Sequence, residues 1–142
     1  MADDDRDDRE MFQEALEIIN TDLLCYTAVN GSELLKQLHE LSEIPDLIFL
    51  DMNMPVMSGW ECLKVLKEDL RYTTIPVIMI STSSHRKEMD TSLTLGALCY
   101  FVKPHDFRDL VDILAIITTS LGPGLKEALI VRDSKAHKHI HF

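Results

Sequence analysis

The sequence lacks both a long apolar run and an excess of basic residues. Its apolar stretches are far shorter than the ~20 residues that a membrane-spanning helix needs. Its acidic amino end differs from the basic start of a secretory signal. Lys and Arg number 14 against 24 Asp and Glu, which gives a formal net charge of −10. Because nucleic acids and anionic membranes are bound through basic residues, we expect neither as a partner.

Cysteine is scarce as well. The chain contains 3 cysteines, widely spaced and without a CxxC pair: Cys25, Cys62 and Cys99. A disulfide-stapled scaffold or a thiolate metal site is therefore not expected. We expect reduced, mostly buried thiols in a cytoplasmic protein. The 142 residues contain no internal repeat or low-complexity linker and have the size of one domain.

Short apolar runs alternate with amphipathic segments along the chain. Runs that are apolar at every position are typical of strands buried on both faces of a sheet. The predicted strands cover residues 23–29, 47–50, 77–80 and 98–102. Between them apolar residues recur at helical spacing, and the segment 58–61, SGWE, has the form of a capping box. This alternation predicts an α/β domain with a parallel sheet and helices on both faces.

Three of the predicted strands end in a residue with chemistry: Asp51, Ser81 and Lys103. The carboxyl ends of neighbouring parallel strands line one crevice, where ligands bind in open α/β sheets. We therefore expect a carboxylate, a hydroxyl and an ammonium group to converge there. Each residue alone is more often a cap, a turn former or a solvent-exposed side chain.

The acidic start of the chain falls in the loop before the first predicted helix. Asp3 and Asp4 would then lie at the same edge as Asp51. A bare run of acids is usually a solvated tail, but clustered carboxylates repel one another, and a hard divalent ion such as Mg2+ relieves that repulsion. The same ion would neutralise an incoming phosphoryl group, with Lys103 and Ser81 on its other oxygens. The sequence favours a site over a tail.

These residues resemble the receiver domain of two-component response regulators, from Ala2 to about Ser120. The resemblance rests on Asp3-Asp4 and on three segments: LIFLDMNMP at 47–55 with Gly59, PVIMIST at 76–82, and GALCYFVKP at 96–104. It implies a flavodoxin-like, doubly wound parallel sheet of five strands in the order 2-1-3-4-5. It also implies a stand-alone receiver that switches protein–protein interactions in phosphorelay signal transduction.

The resemblance implies a phosphoacceptor and a metal site. Asp51 would attack the phosphorus of a phosphohistidine, and Lys103 would pair with the phosphoryl group. Asp4 and Asp51 would bind Mg2+ directly, together with the backbone carbonyl of Asn53. Asp3 would act through a water and by placing Asp4. The chain would catalyse its own phosphorylation and dephosphorylation without a separate output enzyme.

The resemblance also implies a switch. Ser81 would hydrogen-bond to the phosphoryl group and move inward, and Thr82 would offer its backbone N–H. Tyr100 would follow as a rotamer switch, the alternative being a packed strand aromatic. The phosphoryl donor would be a sensor histidine kinase or a histidine phosphotransfer protein. A downstream protein would bind the face formed by residues 84–121.

The chain departs from the family at its start, because only Met1 and Ala2 precede Asp3 where receivers have an apolar strand. Losing about four or five buried residues, at ~1.5–3 kcal/mol each, removes roughly 10 kcal/mol. That is comparable to the ~5–15 kcal/mol of a whole domain. Three explanations stay open: a truncated chain, a loosened or oligomeric form, or a strand supplied by the C-terminal extension.

We therefore divide the chain into a receiver domain at 1–121, lacking most of its first strand, and an extension at 122–142. The apolar run at 128–131 could supply the missing strand, the alternatives being a short extra helix or a disordered tail. His137, His139 and His141 then alternate. A strand there would offer an adventitious Zn2+ or Ni2+ site, whereas a disordered tail or a cloning remnant would not.

Other functions remain as alternatives. A pseudo-receiver or scaffold would bind partners without phosphorylation; the short start supports it, and the complete set of Asp, Ser and Lys residues argues against it. A haloacid-dehalogenase-type phosphatase carries DxDxT at its nucleophile, whereas Asn53 stands two residues after Asp51. A flavodoxin-like cofactor binder needs a phosphate-cradling loop, and no Gly- or Ser/Thr-rich loop follows the first strand position.

Overall fold

The computed structural model describes residues 1–20, 22–122, 124–131 and 138–142. Helices and strands alternate through most of these residues, as the apolar runs predict. In chain order they are α1 Arg6–Ile19, α2 Gly31–Glu40, β1 Ile48–Asp51, α3 Gly59–Glu68, β2 Val77–Ser81, α4 Arg86–Thr94, β3 Cys99–Val102, α5 Phe107–Thr119, α6 Leu125–Val131 and β4 Ile140–His141. Within the described ranges, every helix is too short or too polar to cross a lipid bilayer.

Strands β1, β2 and β3 form a parallel sheet, with Ile48 of β1 beside Val77 of β2. Strand β4 adds to the outer edge of β3 in the antiparallel sense, with Tyr100 opposite His141. Every residue of β1 and β2 is buried. One cluster of buried side chains joins the sheet to α2, α3 and α4, and a second joins it to α1, α5 and α6. The sheet is therefore covered by helices on both faces, as expected.

The start of the chain enters the sheet beside β1. Ala2 donates its N–H to the carbonyl of Phe49 (2.9 Å), and its own carbonyl accepts from the N–H of Asp51 (2.9 Å). On the other side, Asp3 donates its N–H to the carbonyl of Ala28 (3.0 Å). Residues 1–3 thus lie at the carboxyl end of the position where a receiver has its first strand.

Because residues 1–3 pair only through isolated bridges, the sheet has fewer strands than we expected. The described residues contain 4 strands in the order β1-β2-β3-β4, rather than five in the order 2-1-3-4-5. The strand predicted at 23–29 is reduced to an isolated bridge at Ala28. The segment beside it, residues 1–3, is too short to extend the pairing toward residue 23.

Of the alternatives for residues 128–131, the short extra helix is confirmed and the strand is wrong, because Leu125–Val131 forms helix α6. Leu125 and Leu129 are both buried against α5, at 3% and 0% exposure. In a strand, Glu127 would share their face, since alternate residues point the same way. In the helix, Glu127 instead points to solvent. Residues 125–131 therefore do not fill the position beside β1.

The end of the chain returns to the sheet, so residues 138–142 are ordered rather than a disordered tail. The N–H of Val102 donates to the carbonyl of His139 (2.7 Å), and Nδ1 of His139 lies 3.0 Å from the carbonyl oxygen of Val102. Ile140 is buried in the cluster that contains α5. Edge pairing and one buried apolar side chain hold this segment. His137, part of the alternative metal site, lies outside the described residues.

Helix α4 is connected to α3 through side-chain hydrogen bonds. The indole N–H of Trp60 donates to Oγ of Ser92 (3.0 Å), and that hydroxyl donates to the carbonyl of Glu88 (2.8 Å). Apart from Ser92, α4 buries Met89, whereas α5 buries four apolar residues: Leu110, Ile113, Leu114 and Ile117. Few buried apolar contacts are typical of elements that move at low cost.

The cysteines occupy different environments. Cys62 and Cys99 are buried, and burial raises the pKa of each thiol to about 12. Cys25 is partly exposed, although burial raises the pKa of its thiol as well. Because the thiolate is the reactive form, Cys62 and Cys99 are inert at neutral pH and Cys25 is the accessible thiol of the three.

Candidate functional site

Three carboxyl groups meet at the carboxyl end of β1. Oxygens of Asp3, Asp4 and Asp51 all lie within 4.8 Å of one another. Asp51 is the last residue of β1, and the hydrogen bonds between Ala2 and β1 hold the other two beside it. Asp3 and Asp51 are buried, at 1% and 7% exposure, whereas Asp4 faces solvent. The fold brings together the acidic residues that the sequence placed at one edge.

The acidic cluster is not neutralised by its surroundings. Burial raises the pKa of Asp3, the hydrogen bond and charge of Lys103 act in the opposite direction, and the charge of Asp51 adds to the rise. A net rise means that Lys103 does not fully compensate this carboxylate for the loss of water. Three carboxyl groups meet here and the ammonium of Lys103 contacts two of them, and a cluster of oxygen ligands of this kind suits a hard divalent cation.

Lys103 reaches the cluster from the end of β3. The backbone N–H of Lys103 donates to the carbonyl of Ser81 (2.8 Å), which fixes the start of the loop after β3. Its ammonium Nζ lies 2.7 Å from Oδ2 of Asp3, 2.6 Å from Oδ2 of Asp8 and 3.0 Å from Oδ1 of Asp51. Burial lowers the pKa of Lys103, but its hydrogen bonds to carboxylates outweigh this and raise the pKa above its usual value. Lys103 therefore stays charged at neutral pH.

Asp8 is a site residue that the sequence did not single out. It lies in the first turn of α1, where Asp5 caps the helix by accepting from the N–H groups of Asp7 and Asp8. In the acidic run, Asp8 looked like one more exposed side chain. Its role depends on Lys103, 95 positions later in the chain, so no local pattern distinguished Asp8 from its acidic neighbours.

The hydroxyl groups lie at the end of β2. Ser81 is buried, and its Oγ accepts from the N–H of Ser83 (3.1 Å). Thr82 is exposed on the bend that follows. Tyr100 is fully buried, and its hydroxyl donates to the carbonyl of Ser83 (3.0 Å). Burial is the main reason that the pKa of Tyr100 is raised. Ser81 and Tyr100 are thus connected through one residue of the loop before α4.

The loop after β1 folds back on the acidic cluster. The N–H of Asn53 donates to Oδ2 of Asp51 (2.9 Å), and the N–H of Gly59 donates to the carbonyl of Met52 (3.0 Å). A Cβ added to Gly59 would lie 2.2 Å from the carbonyl oxygen of Asp51, which is backbone. Glycine at this position allows α3 to begin directly against the end of β1.

Gly59→Ala is therefore expected to destabilise the protein and to disturb the site. The added methyl group has to push Asp51 or α3 aside, and overpacking of this kind costs about 2 kcal/mol. The free energy of unfolding can be measured by urea denaturation.

Gly124→Ala is the matched control, since a Cβ there meets no heavy atom within 4 Å. We expect little change for that variant. Equal stability of the two variants would contradict the close packing of Gly59 on β1.

Comparison with known proteins agrees with this geometry. The family model of the response regulator receiver domain matches residues 1–115. The phosphate regulon transcriptional regulatory protein PhoB of Pseudomonas aeruginosa is 35% identical over 132 residues, 92% of this chain. This chain spans 55% of the length of PhoB.

Solved structures show the same fold. The phosphorylated cyanobacterial phytochrome response regulator RcpA superimposes with a TM-score of 0.74 and 30% identity, over 80% of this chain and 85% of RcpA. The Mn(2+)-bound form of response regulator Rcp1 superimposes with a TM-score of 0.69 and 26% identity, over 83% of this chain and 88% of Rcp1. The family match extends over the acidic cluster and Lys103.

Proposed function

The chain belongs to the response regulator receiver family, and we propose that Asp51 accepts a phosphoryl group in two-component phosphorelay signalling. The donor is a phosphohistidine of a sensor histidine kinase or a histidine phosphotransfer protein. The position of Asp51 carries this proposal: its carboxylate lies 3.0 Å from the Lys103 ammonium and within 4.8 Å of oxygens of Asp3 and Asp4. A carboxylate nucleophile beside a cation, with further carboxylates that could hold a metal ion, is a set of groups that can support phosphoryl transfer.

The transfer is a displacement at phosphorus. A carboxylate oxygen of Asp51 bonds to phosphorus while the bond from phosphorus to the histidine nitrogen breaks, and its electron pair returns to the imidazole. Lys103 and the hydroxyl of Ser81 stabilise charge on the phosphoryl oxygens, and the backbone N–H of Thr82 adds a donor. Water later cleaves the acyl phosphate, which restores the carboxylate and releases inorganic phosphate. The chain thus catalyses both reactions on itself.

The acidic cluster fits Mg2+, which prefers oxygen ligands. Asp4, Asp51 and the backbone carbonyl of Asn53 would bind it directly, and Asp3 would act through a water. The hydrogen bond from Asn53 to Asp51 holds residues 51–53 in one tight turn that suits this role. When bound, the ion supplies positive charge against the phosphoryl oxygens.

Intact mass spectrometry after incubation with a small-molecule phosphodonor tests this function. We expect a phosphoryl adduct that forms in the presence of Mg2+ and does not form when EDTA is added before the phosphodonor. A protein that unfolds cooperatively but gains no adduct would instead be a scaffold that binds partners without phosphorylation.

Phosphorylation can also change the conformation of a surface that binds a partner. Ser81 and Tyr100 both hydrogen-bond to Ser83, in the loop that leads into α4. Movement of Ser81 toward the phosphoryl group would shift this loop and the weakly anchored α4, a change of population between two arrangements. The partner then binds the face of α4 and α5 within residues 84–121, where β4 covers the outer edge of β3.

Backbone amide chemical shifts test this conformational change. Phosphorylation is expected to shift the resonances of residues 84–110, with Tyr100 changing its side-chain environment. Unchanged shifts across this range, on a protein shown by mass to be phosphorylated, would rule out this surface as the output of the switch.

Asp8→Asn is expected to speed phosphorylation of Asp51 about threefold to tenfold, the effect of removing one partly exposed charge interaction. Asp8 holds the Lys103 ammonium at 2.6 Å, and its charge repels an incoming phosphoryl group. The initial rate of adduct formation measures the effect.

Asp7→Asn removes the same charge from the same turn of α1, but Asp7 is exposed. We expect a nearly unchanged rate for this control. A rate for Asp8→Asn at or below the unmodified rate would mean that Asp8 positions Lys103 productively.

A further inference from the structure

One carboxylate oxygen of α4 is buried without a hydrogen bond. Glu88 is partly exposed as a whole residue, but its Oε2 is shielded from solvent and has no hydrogen-bond partner among the described residues. Buried polar atoms are almost always hydrogen-bonded, because an unpaired one has lost its water without a replacement. The phosphoryl transfer proposed above makes no use of this carboxylate.

The usual partner of a glutamate at this helix position is already taken. Glu88 is the third residue of α4, as Glu61 is of α3. Glu61 accepts from the N–H of the N-cap residue Ser58 (2.9 Å) and so completes a capping box. In α4, the N–H of the N-cap residue His85 donates instead to Oγ of Ser83 (3.3 Å). The side chain of Glu88 is therefore not used to cap its own helix.

The hydroxyl of Tyr100 lies at the same end of α4. It donates to the carbonyl of Ser83, two residues before the N-cap residue (3.0 Å). Side chains in the first turn of a helix lean back toward its N-terminus, which directs the carboxylate of Glu88 toward this loop. Burial is the main reason that the pKa of Tyr100 is raised, and the charge of Glu88 adds more to this rise than the charge of Asp51 does.

The backbone of Glu88 is connected to α3. Its carbonyl accepts from the hydroxyl of Ser92 (2.8 Å), and that hydroxyl accepts from the indole N–H of Trp60 (3.0 Å). Ser92 is completely buried, so water does not compete for these bonds. A displacement of Glu88 is therefore transmitted to α3 through two hydrogen bonds.

We propose that Glu88 is a second acceptor for the hydroxyl of Tyr100, which exchanges between the carbonyl of Ser83 and the carboxylate of Glu88. A phenol has one O–H to donate, so it serves these two acceptors in turn. While Tyr100 is bonded to Ser83, Oε2 of Glu88 stays unpaired, and this raises the free energy of that arrangement. In the second arrangement Glu88 gains the bond, and the carbonyl of Ser83 lies in a partly exposed loop where water can reach it.

Glu88 is thus a positioning residue that sets the balance between two arrangements of the loop before α4. The link of this balance to phosphorylation rests on the proposed function of Asp51. The exchange itself belongs to the unphosphorylated chain and is measured there.

Fluorine NMR of the whole, unphosphorylated chain tests the exchange, with fluorotyrosine in place of tyrosine. The chain contains 3 tyrosines, and the variant Tyr100→Phe identifies the signal of Tyr100. We expect two environments for this side chain, in exchange on the microsecond to millisecond timescale. Relaxation dispersion measures the population of the second environment.

Glu88→Met keeps the length of the side chain and removes its strong acceptor. The population of the second environment is expected to fall about tenfold, as the loss of a hydrogen bond to a charged group predicts. Glu88→Gln keeps an acceptor oxygen and should retain part of that population. The urea midpoint of Glu88→Met should not fall, because the unpaired buried oxygen has been removed. Asp90→Asn, at an exposed position of the same helix, is the matched control and should behave like the unmodified chain.

Two results would overturn the proposal. The first is a single environment for Tyr100 in the unmodified chain. The second is an unchanged Tyr100 signal in Glu88→Met with a lower urea midpoint in both Glu88 variants, which would make Glu88 a charge that stabilises the start of α4. Intact mass separates this proposal from the proposed function: a missing phosphoryl adduct contradicts the role of Asp51, whereas two environments for Tyr100 still support the role of Glu88.

Discussion

Asp51→Asn is expected to reduce the Mg2+-dependent phosphoryl adduct to background. The amide nitrogen and oxygen of Asn do not provide the anionic nucleophile that forms an acyl phosphate. The replacement has nearly the same shape, and its amide oxygen can still accept from the N–H of Asn53, as Asp51 does at 2.9 Å. The fold should therefore be retained, and intact mass with and without Mg2+ measures the loss.

Asp46→Asn is the matched control, because Asp46 is exposed just before β1. It removes the same charge from the same part of the chain and should leave the adduct unchanged. A full adduct on Asp51→Asn would place the phosphoacceptor elsewhere, and peptide mapping of the adduct would locate it.

Lys103→Met should slow phosphorylation about 100-fold or more, the loss seen when one preorganised charge-stabilising donor is removed. It should also lower the free energy of unfolding by about 3 kcal/mol without metal, because removing one partner of a buried ion pair leaves the others uncompensated. Asp3 and Asp51 both contact this ammonium, at 2.7 and 3.0 Å. Saturating Mg2+ should recover part of the lost stability, since it supplies charge to the same carboxylates.

The variant Lys67→Met separates the effect on the phosphorylation rate from the effect on the free energy of unfolding. The ammonium of Lys67 donates to the carbonyls of Thr73 (3.1 Å) and Ile75 (2.8 Å), away from the acidic cluster. This variant should lose stability that Mg2+ does not restore, and it should be phosphorylated at the normal rate. Equal phosphorylation rates for the two lysine variants would show that Lys103 has no part in the transfer.

The central part of the fold could be predicted from sequence because its signals are local. The runs that form β1, β2 and β3 are apolar at nearly every position, and in the structure they are buried on both faces. The capping box at Ser58 and Glu61 is confirmed at the start of α3. The acidic cluster could be predicted from the alternation of strands and helices, because parallel strands place their last residues at one edge of the sheet.

The ends of the chain were harder to predict because their structure depends on distant partners. Strand β4 exists through its pairing with β3, about forty positions earlier along the chain, and no local pattern encodes that contact. Residues 128–131 are an apolar run that fits a strand or a helix, and only the burial of Leu125 with Leu129 decides for α6. The segment 23–29 has strand composition, but its neighbour provides only residues 1–3 for pairing.

The hydrogen bond between α3 and α4 gives the protein an intrinsic optical reporter. Trp60 is its single tryptophan, and the indole N–H donates to Ser92 on the helix that the switch would move. Indole emission depends on the polarity and hydrogen bonding around the ring, so displacement of α4 changes fluorescence without any added label. The kinetics of the conformational response can thus be followed in real time beside the appearance of the phosphoryl adduct.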